Sequence, residues 1–140
     1  MTLSLLPVIA AVCILISLTE AWLLSLMRYL KVAFLKRLFP GYHYLVRSHI
    51  DYLLMGMLLF LFYLVLDRLQ IQLASFWLWM MVVGAIYNPL GFLVQAIKPD
   101  AADSDNPLMK AAIMLAFLPA TLGFGGSAVF IIKAYIQNPF

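Results

Sequence analysis

The sequence is poor in charged residues and nearly without cysteine. Charged residues make up 11% of the 140 residues and hydrophobic residues 66%, whereas an average soluble domain is roughly a quarter charged and about half apolar. The single cysteine, Cys13, excludes a disulfide within one chain, and paired Cys/His metal spacings are absent from the sequence. The net charge is only +3. Without a broad basic face, we expect no nucleic-acid partner.

The sequence also lacks the motifs of common enzyme classes and of cleaved targeting segments. It has no HExxH, no GxSxG and no phosphate-binding loop. The N-terminus has no basic start of a secretory signal. Val12, not a small residue, precedes Cys13, which disfavours lipoprotein cleavage. We therefore predict that the first apolar segment is retained as a helix and that Cys13 is a packing residue.

What the sequence does have is four long apolar runs. About 20 apolar residues are needed for a helix to cross roughly 30 Å of hydrocarbon. The runs predict helices at approximately 3–27, 45–66, 73–97 and 107–135. Together they leave no room for a soluble domain, so we predict one all-α domain over residues 1–140, a four-helix transmembrane bundle in contact with the lipid bilayer.

The first connecting segment is strongly basic. Its members are Arg28, Lys31, Lys36, Arg37 and Arg47. Basic loops face the cytoplasm and contact anionic lipid, so we expect this loop inside and both termini outside, in a bacterial inner (plasma) membrane. Lys133 near the C-terminus weighs slightly against that orientation. Leu30, Phe34 and Leu38 follow each other at four-residue spacing among the cations, which predicts a short interfacial helix.

Four polar residues fall inside the predicted helices, where polar groups are costly. They are Glu20, His49, Asp51 and Asn88. With the predicted orientation all four lie in the cytoplasmic half of the bundle, Glu20 about 10 Å and Asn88 about 13 Å deep at 1.5 Å per residue. A site in that half is the simplest interpretation.

Each of the four also has a structural alternative. Glu20 can reach outward to Arg28 or Arg47. Asp51 can pair with the basic loop at the helix end, and Asn88 can satisfy backbone groups freed by Pro89. His49 can be a plain interfacial histidine.

Small residues repeat along the fourth predicted helix. They are Ala112, Ala116, Ala120, Gly123 and Ser127, spaced by three or four residues. Such a stripe lets another helix approach closely, within or between chains. We expect a homo-oligomer.

Several short motifs give the chain a family resemblance. They are Pro40-Gly41-Tyr42, Arg47-Ser48-His49, Gly56-Met57, Gly91-Phe92 and Leu118-Pro119-Ala120. In their order, spacing and helix placement they resemble motifs of the styrene oxide isomerase family, which are small four-helix membrane proteins that bind haem b, form trimers and convert an aryl epoxide to an aldehyde. The resemblance implies His49 as the iron ligand and a trimeric assembly.

Two positions depart from the family pattern. The active-site asparagine of the family corresponds to Met55 and its tyrosine to Leu93, so both polar groups thought to position the epoxide are missing. Leu53 and Gly56 follow His49 by four and seven residues and share its helix face. We expect the leucine to pack on a haem and the glycine to leave room for it.

Three functions follow from these residues. The leading hypothesis is a haem b-binding membrane protein with His49 as metal ligand. If it is an enzyme, the resemblance implies Lewis-acid isomerisation of a small apolar epoxide. Glu20, Asp51, Tyr87 and Asn88 are its remaining polar candidates. The second is a non-catalytic haem subunit for electron transfer or sensing, with Met55 or His43 as second axial ligand. The third is a cofactor-free scaffold or transporter-like subunit.

Overall fold

The chain is an all-α protein with four long helices, as predicted. A computed structural model describes residues 2–101 and 107–137, and these contain five α-helices and one short 3₁₀ turn. The helices are α1 (Leu5–Arg28), α2 (Ala33–Leu38), α3 (Tyr42–Arg68), α4 (Ser75–Ile97) and α5 (Pro107–Gln137). Every predicted boundary of the long helices lies within three residues of the observed one.

The four long helices are apolar enough and long enough to cross a membrane. Their outward faces carry large apolar side chains, such as Trp22 on α1, Leu61 on α3 and Phe117 on α5, each more than half exposed. Such surfaces are stable against lipid and unstable in water. The chain is an integral membrane protein.

Each long helix packs mainly on its neighbour in the chain: α1 on α3, α3 on α4, and α4 on α5. The last helix, α5, has little contact with α3. This serial packing leaves one side of α1 and one side of α5 uncovered by the rest of the chain.

The contact between α1 and α3 is set by a buried stripe along α1. The stripe follows a spacing of three or four residues through Leu6, Ala10, Cys13, Ser17 and Glu20. Opposite it, α3 presents Gly56, where an added Cβ would lie 2.8 Å from the Ile14 side chain and 3.0 Å from the Ala10 carbonyl oxygen. The buried Cys13 is a packing residue, as expected.

The contact between α4 and α5 uses most of the predicted small-residue stripe. A Cβ on Gly84 would lie 2.3 Å from Ala120 Cα, and one on Gly123 would lie 2.3 Å from the Met81 nitrogen. Ser127 is buried and donates a hydrogen bond to the Met81 sulfur. The stripe therefore joins two helices of one chain, while its first member, Ala112, is exposed.

The basic segment forms one end of the bundle. A short helix is present in the predicted segment as α2, which begins after Leu30, and both Leu30 and Phe34 are about 70% exposed. The Gly41 backbone nitrogen donates to the Ala96 carbonyl oxygen across 3.0 Å, which ties the start of α3 to the end of α4. In the loop between α4 and α5, Pro99–Ala101 form the 3₁₀ turn. Positions 102–106 lie outside the described residues.

Candidate functional site

The candidate site is a polar layer between two apolar clusters of the core. One cluster contains Leu6, Tyr52 and Met81, and the other contains Met27, Leu45 and Ala96. Between them, α1 contributes Ser17 and Glu20, α3 contributes Ser48 and His49, and α4 contributes Asn88 and Pro89. The layer thus joins polar residues from the three helices that the sequence indicated.

Glu20 is at the centre of this layer. Its side chain is 3% exposed, and Oε1 accepts a hydrogen bond of 2.7 Å from the Ser48 hydroxyl. Oε2 is buried and has no hydrogen-bond partner within residues 2–101 and 107–137. Glu20 forms no ion pair with Arg28 or Arg47, so its side chain is held inside the protein and does not reach outward to the basic loop.

The part of α4 around Pro89, which lies inside the continuous helix, contributes backbone acceptors to the same region. The Pro89 carbonyl oxygen lies 3.3 Å from the Ser48 hydroxyl, and the Ile86 carbonyl accepts from the buried Tyr52 hydroxyl, also across 3.3 Å. Asn88 Oδ1 is buried without a partner among the residues that the structure describes. The single hydrogen of the Ser48 hydroxyl is donated mainly to Glu20, at 2.7 Å, so the Pro89 carbonyl is a secondary acceptor. Neither of these two bonds to the backbone comes from Asn88.

His49 is tied to α1 through Ser17. Its Nδ1 lies 2.9 Å from the Ser17 carbonyl oxygen and 2.9 Å from the Ser17 hydroxyl oxygen, and the same hydroxyl donates to the His49 carbonyl across 3.0 Å. A carbonyl oxygen can only accept, so Nδ1 must carry the hydrogen. The bond fixes both the tautomer and the orientation of the ring.

The other ring nitrogen of His49, Nε2, is free to act as a ligand. It makes no hydrogen bond to the described residues, and it is not one of the buried polar atoms left unpaired, which are Glu20 Oε2 and Asn88 Oδ1. Because His49 is only half-buried, Nε2 is accessible from outside the chain. Metal-binding histidines usually donate their second nitrogen to a carboxylate or backbone carbonyl, which is the arrangement that Ser17 provides.

The two residues predicted to surround a ligand at His49 have different environments. Leu53, one turn beyond His49, is 38% exposed and lies on the outward side of α3. Gly56 is buried against α1, whose Ala10 and Ile14 fill the space beside it. Gly56 allows α1 and α3 to pack closely. The space beside Gly56, which was expected to accommodate a haem, is filled by α1.

The positions that differ from the family pattern are packing positions. Met55 packs against the apolar cluster around Tyr52, and Leu93 packs against the cluster around Ala96. Neither brings a polar group to the layer. His43, on the first turn of α3, is exposed and stacks on Tyr44 with ring centroids 4.0 Å apart.

The remaining polar candidates lie at the margin. Asp51 is half-buried, and its charge interacts with Arg47 one turn earlier on the same helix, so its partner is on α3 itself. Tyr87 is 50% exposed on α4. The described residues contain no group of three or more His, Cys, Asp or Glu that could hold a metal ion.

Two residues of the layer, Ser17 and Ser48, were not predicted from the sequence, nor was Tyr52 in the cluster beside it. The signal for Ser17 was present, because it shares the spacing of three or four residues that links Cys13 to Glu20. Serine and threonine are common in membrane helices. Their hydrogen-bond partners on other helices therefore cannot be predicted until the relative positions of the helices are known.

Comparison of the chain with protein-family models, with curated proteins and with solved structures gives no match. The likeness to the styrene oxide isomerase family therefore rests on its short motifs.

Proposed function

We propose that the protein binds haem b in the manner of the styrene oxide isomerase family, with His49 Nε2 as the iron ligand. The observation that carries the proposal is the 2.9 Å distance between His49 Nδ1 and the Ser17 carbonyl oxygen. It leaves an imidazole with one free, accessible nitrogen at the edge of an apolar helix bundle. This is the state in which histidine binds iron.

The residues around His49 fit such a ligand on the outer side of α3. Leu53 offers an exposed apolar side chain one turn away. Ser17 keeps the ring from turning. Ferric haem, when bound, supplies a Lewis acid that can polarise an epoxide oxygen, and the substrate by resemblance is a small apolar epoxide that isomerises to an aldehyde.

An absorption spectrum of detergent-purified protein supplied with haem tests the assignment. We expect a Soret band for the wild type and for His43→Ala, and a strongly reduced band for His49→Ala. His43 is a matched control because it is a histidine on the same helix, exposed and without contact to Ser17. Absence of a Soret band in the wild type, or an unchanged band in His49→Ala, would overturn the proposal.

A non-catalytic haem subunit is the second candidate, because Met55 and Leu93 are both packed in apolar clusters. The side chains at these two positions are apolar, so neither can hydrogen-bond to an epoxide and orient it. The coordination state separates the candidates. A five-coordinate high-spin spectrum leaves an open position for substrate, whereas a six-coordinate low-spin spectrum favours electron transfer or sensing. Met55 is packed in the core and His43 is exposed at the start of α3, so the structure brings neither of the predicted second ligands to His49. If no haem binds, a cofactor-free scaffold or a transporter-like subunit is the remaining hypothesis.

We also propose that the chain assembles with copies of itself, as a trimer by resemblance. His49 lies at the edge of the chain, and serial helix packing leaves α1 and α5 partly uncovered, so a second copy would enclose a ligand at Nε2. Native mass spectrometry in mild detergent should give three chains per particle. A monomer alone, with haem bound, would contradict the assembly and leave the ligand assignment intact.

The proposed orientation places the basic end in the cytoplasm of a bacterial inner membrane. The end that joins α1 to α3 carries Arg28, Lys31, Lys36 and Arg37, while the opposite end has Arg68, the last residue of α3, and Lys133 near the end of α5. In a Cys13→Ala background, Lys36→Cys and Gln70→Cys should be labelled by an impermeant thiol reagent from opposite sides. Labelling of Gln70→Cys from inside would reverse the orientation.

A further inference from the structure

The basic end of the bundle contains a cavity that the haem proposal does not use. It has a volume of about 460 Å³ and is lined by Met27, Arg28, Lys36, Phe39, Pro40 and Tyr42. The end of α1, the helix α2 and the start of α3 each contribute a wall. A cavity of this size is within the range of roughly 300–1,000 Å³ that holds small ligands.

The cavity carries uncompensated positive charge. Arg28 and Lys36 are both exposed, and no ion pair joins either to a carboxylate among residues 2–101 and 107–137. The Arg28 guanidinium instead lies 5.7 Å from the ring centre of Tyr29. Two cations without acidic partners, beside the Tyr42 side chain, favour a phosphate-bearing ligand.

The other half of the lining is apolar, and the cavity lies where a membrane surface would be. Met27 and Phe39 are buried members of the core. Beside them, α2 holds Phe34 and Leu38 exposed among its cations, as in a helix that lies in the headgroup region. A ligand with an anionic head and an acyl tail fits both halves, whereas a free phosphate uses only the cations.

We propose that this cavity is a binding site for the headgroup of an anionic phospholipid. Arg28 and Lys36 bind the phosphodiester, while Met27 and Phe39 contact the glycerol and the first acyl carbons. The bound lipid would link the end of α1, α2 and the start of α3.

Native mass spectrometry of the purified full-length protein tests the site, with phosphatidylglycerol as probe. The pocket variant R28Q/K36Q is compared with K31Q/R37Q, which removes the same charge from exposed residues that do not line the cavity. Each surface cation changes lipid affinity about fivefold, so we expect roughly 30-fold weaker binding for R28Q/K36Q. K31Q/R37Q should weaken binding clearly less than R28Q/K36Q, because neither side chain lines the cavity and so neither contacts the phosphodiester.

Competition with other ligands distinguishes a lipid site from a free-phosphate site and from diffuse charge attraction. Phosphatidylcholine should bind weakly, and inorganic phosphate should not displace phosphatidylglycerol. Equal losses in the two double variants would overturn the site in favour of diffuse attraction, and displacement by inorganic phosphate would overturn the lipid as its ligand. If R28Q/K36Q fails to fold, K36Q alone, on the exposed helix α2, should weaken binding about fivefold, and unchanged affinity there overturns the proposal.

Discussion

The Ser48 hydroxyl donates a hydrogen bond of 2.7 Å to Glu20 Oε1 and so joins α3 to α1 in the middle of the bundle. The other carboxyl oxygen, Oε2, is buried without a partner. Inside a low-dielectric bundle a buried polar group is costly unless it is bonded. Ser48 therefore supplies the one side-chain hydrogen bond that Glu20 has among the described residues.

Ser48→Ala should lower the stability of the protein by about 1–3 kcal/mol, because it leaves both Glu20 oxygens without a donor. Thermal unfolding in detergent measures the change. Thr19→Ala is the control, since its exposed hydroxyl bonds only to the Leu15 carbonyl of its own helix, and it should change stability by less than about 0.5 kcal/mol. Equal midpoints for the two variants would show that the Ser48 bond contributes nothing.

Gly123→Ala should destabilise the contact between α4 and α5. The added Cβ would lie 2.3 Å from the Met81 nitrogen, and an overpacked contact typically costs about 1–3 kcal/mol. Gly125→Ala, on the same helix, has nothing within 4 Å of the new Cβ and should be neutral or gain about 0.5–1 kcal/mol from helix propensity. If the two variants unfold together, the close approach of α4 and α5 is not as the structure has it.

Gln70→Gly should stabilise the turn that ends α3. Gln70 has φ 52°, in the left-handed region, and its nitrogen donates to the Asp67 carbonyl while Ile71 donates to the Leu66 carbonyl. These are the two bonds of a Schellman motif, in which glycine is the usual residue at this position.

The left-handed conformation costs a non-glycine residue about 1–2 kcal/mol. Glycine would also lose the bond from Gln70 Nε2 to the Asp67 carbonyl, worth about 1 kcal/mol, so the expected net gain is about 0.5 kcal/mol. Gln72→Gly, two residues on and outside any helix, should give no gain. A lower melting temperature for Gln70→Gly than for Gln72→Gly would contradict this account.

The sequence predicts the helices because membrane-spanning segments are defined by length and composition alone. It also identifies Glu20 and Asn88 as polar residues of one half of the bundle. Which polar groups meet depends on the rotation of each helix about its axis, which hydropathy does not determine. Glu20 is therefore paired with Ser48, a residue that carries no signal of its own.

Gly56 is a second residue whose role the sequence alone could not predict. Its position on the face of His49 was readable from the sequence, but a glycine in a membrane helix can admit a ligand or a neighbouring helix equally well. In the structure the neighbour is α1, whose own small residue, Ala10, meets it. The pattern on one helix cannot distinguish these cases, because the deciding residues lie on another.

Ser17→Val should weaken haem binding if His49 is the iron ligand and Ser17 positions it. The Ser17 hydroxyl oxygen lies 2.9 Å from Nδ1, and a methyl group there would be closer than the contact distance of about 3.5 Å, so the ring must turn away from the Ser17 carbonyl. Loss of such a supporting bond typically lowers metal affinity by about 10–100-fold. Haem titration followed at the Soret band measures the affinity.

Ser17→Ala is the informative partner of that variant. It removes the bond from the hydroxyl to the His49 carbonyl and should cost about 1 kcal/mol of stability without haem. It nevertheless keeps the backbone carbonyl that fixes the ring, so haem affinity should fall much less than in Ser17→Val. A merely structural role for Ser17 would change stability in both variants and haem affinity in neither, whereas equal, large losses of affinity would show that the hydroxyl, and not the carbonyl, holds the ring.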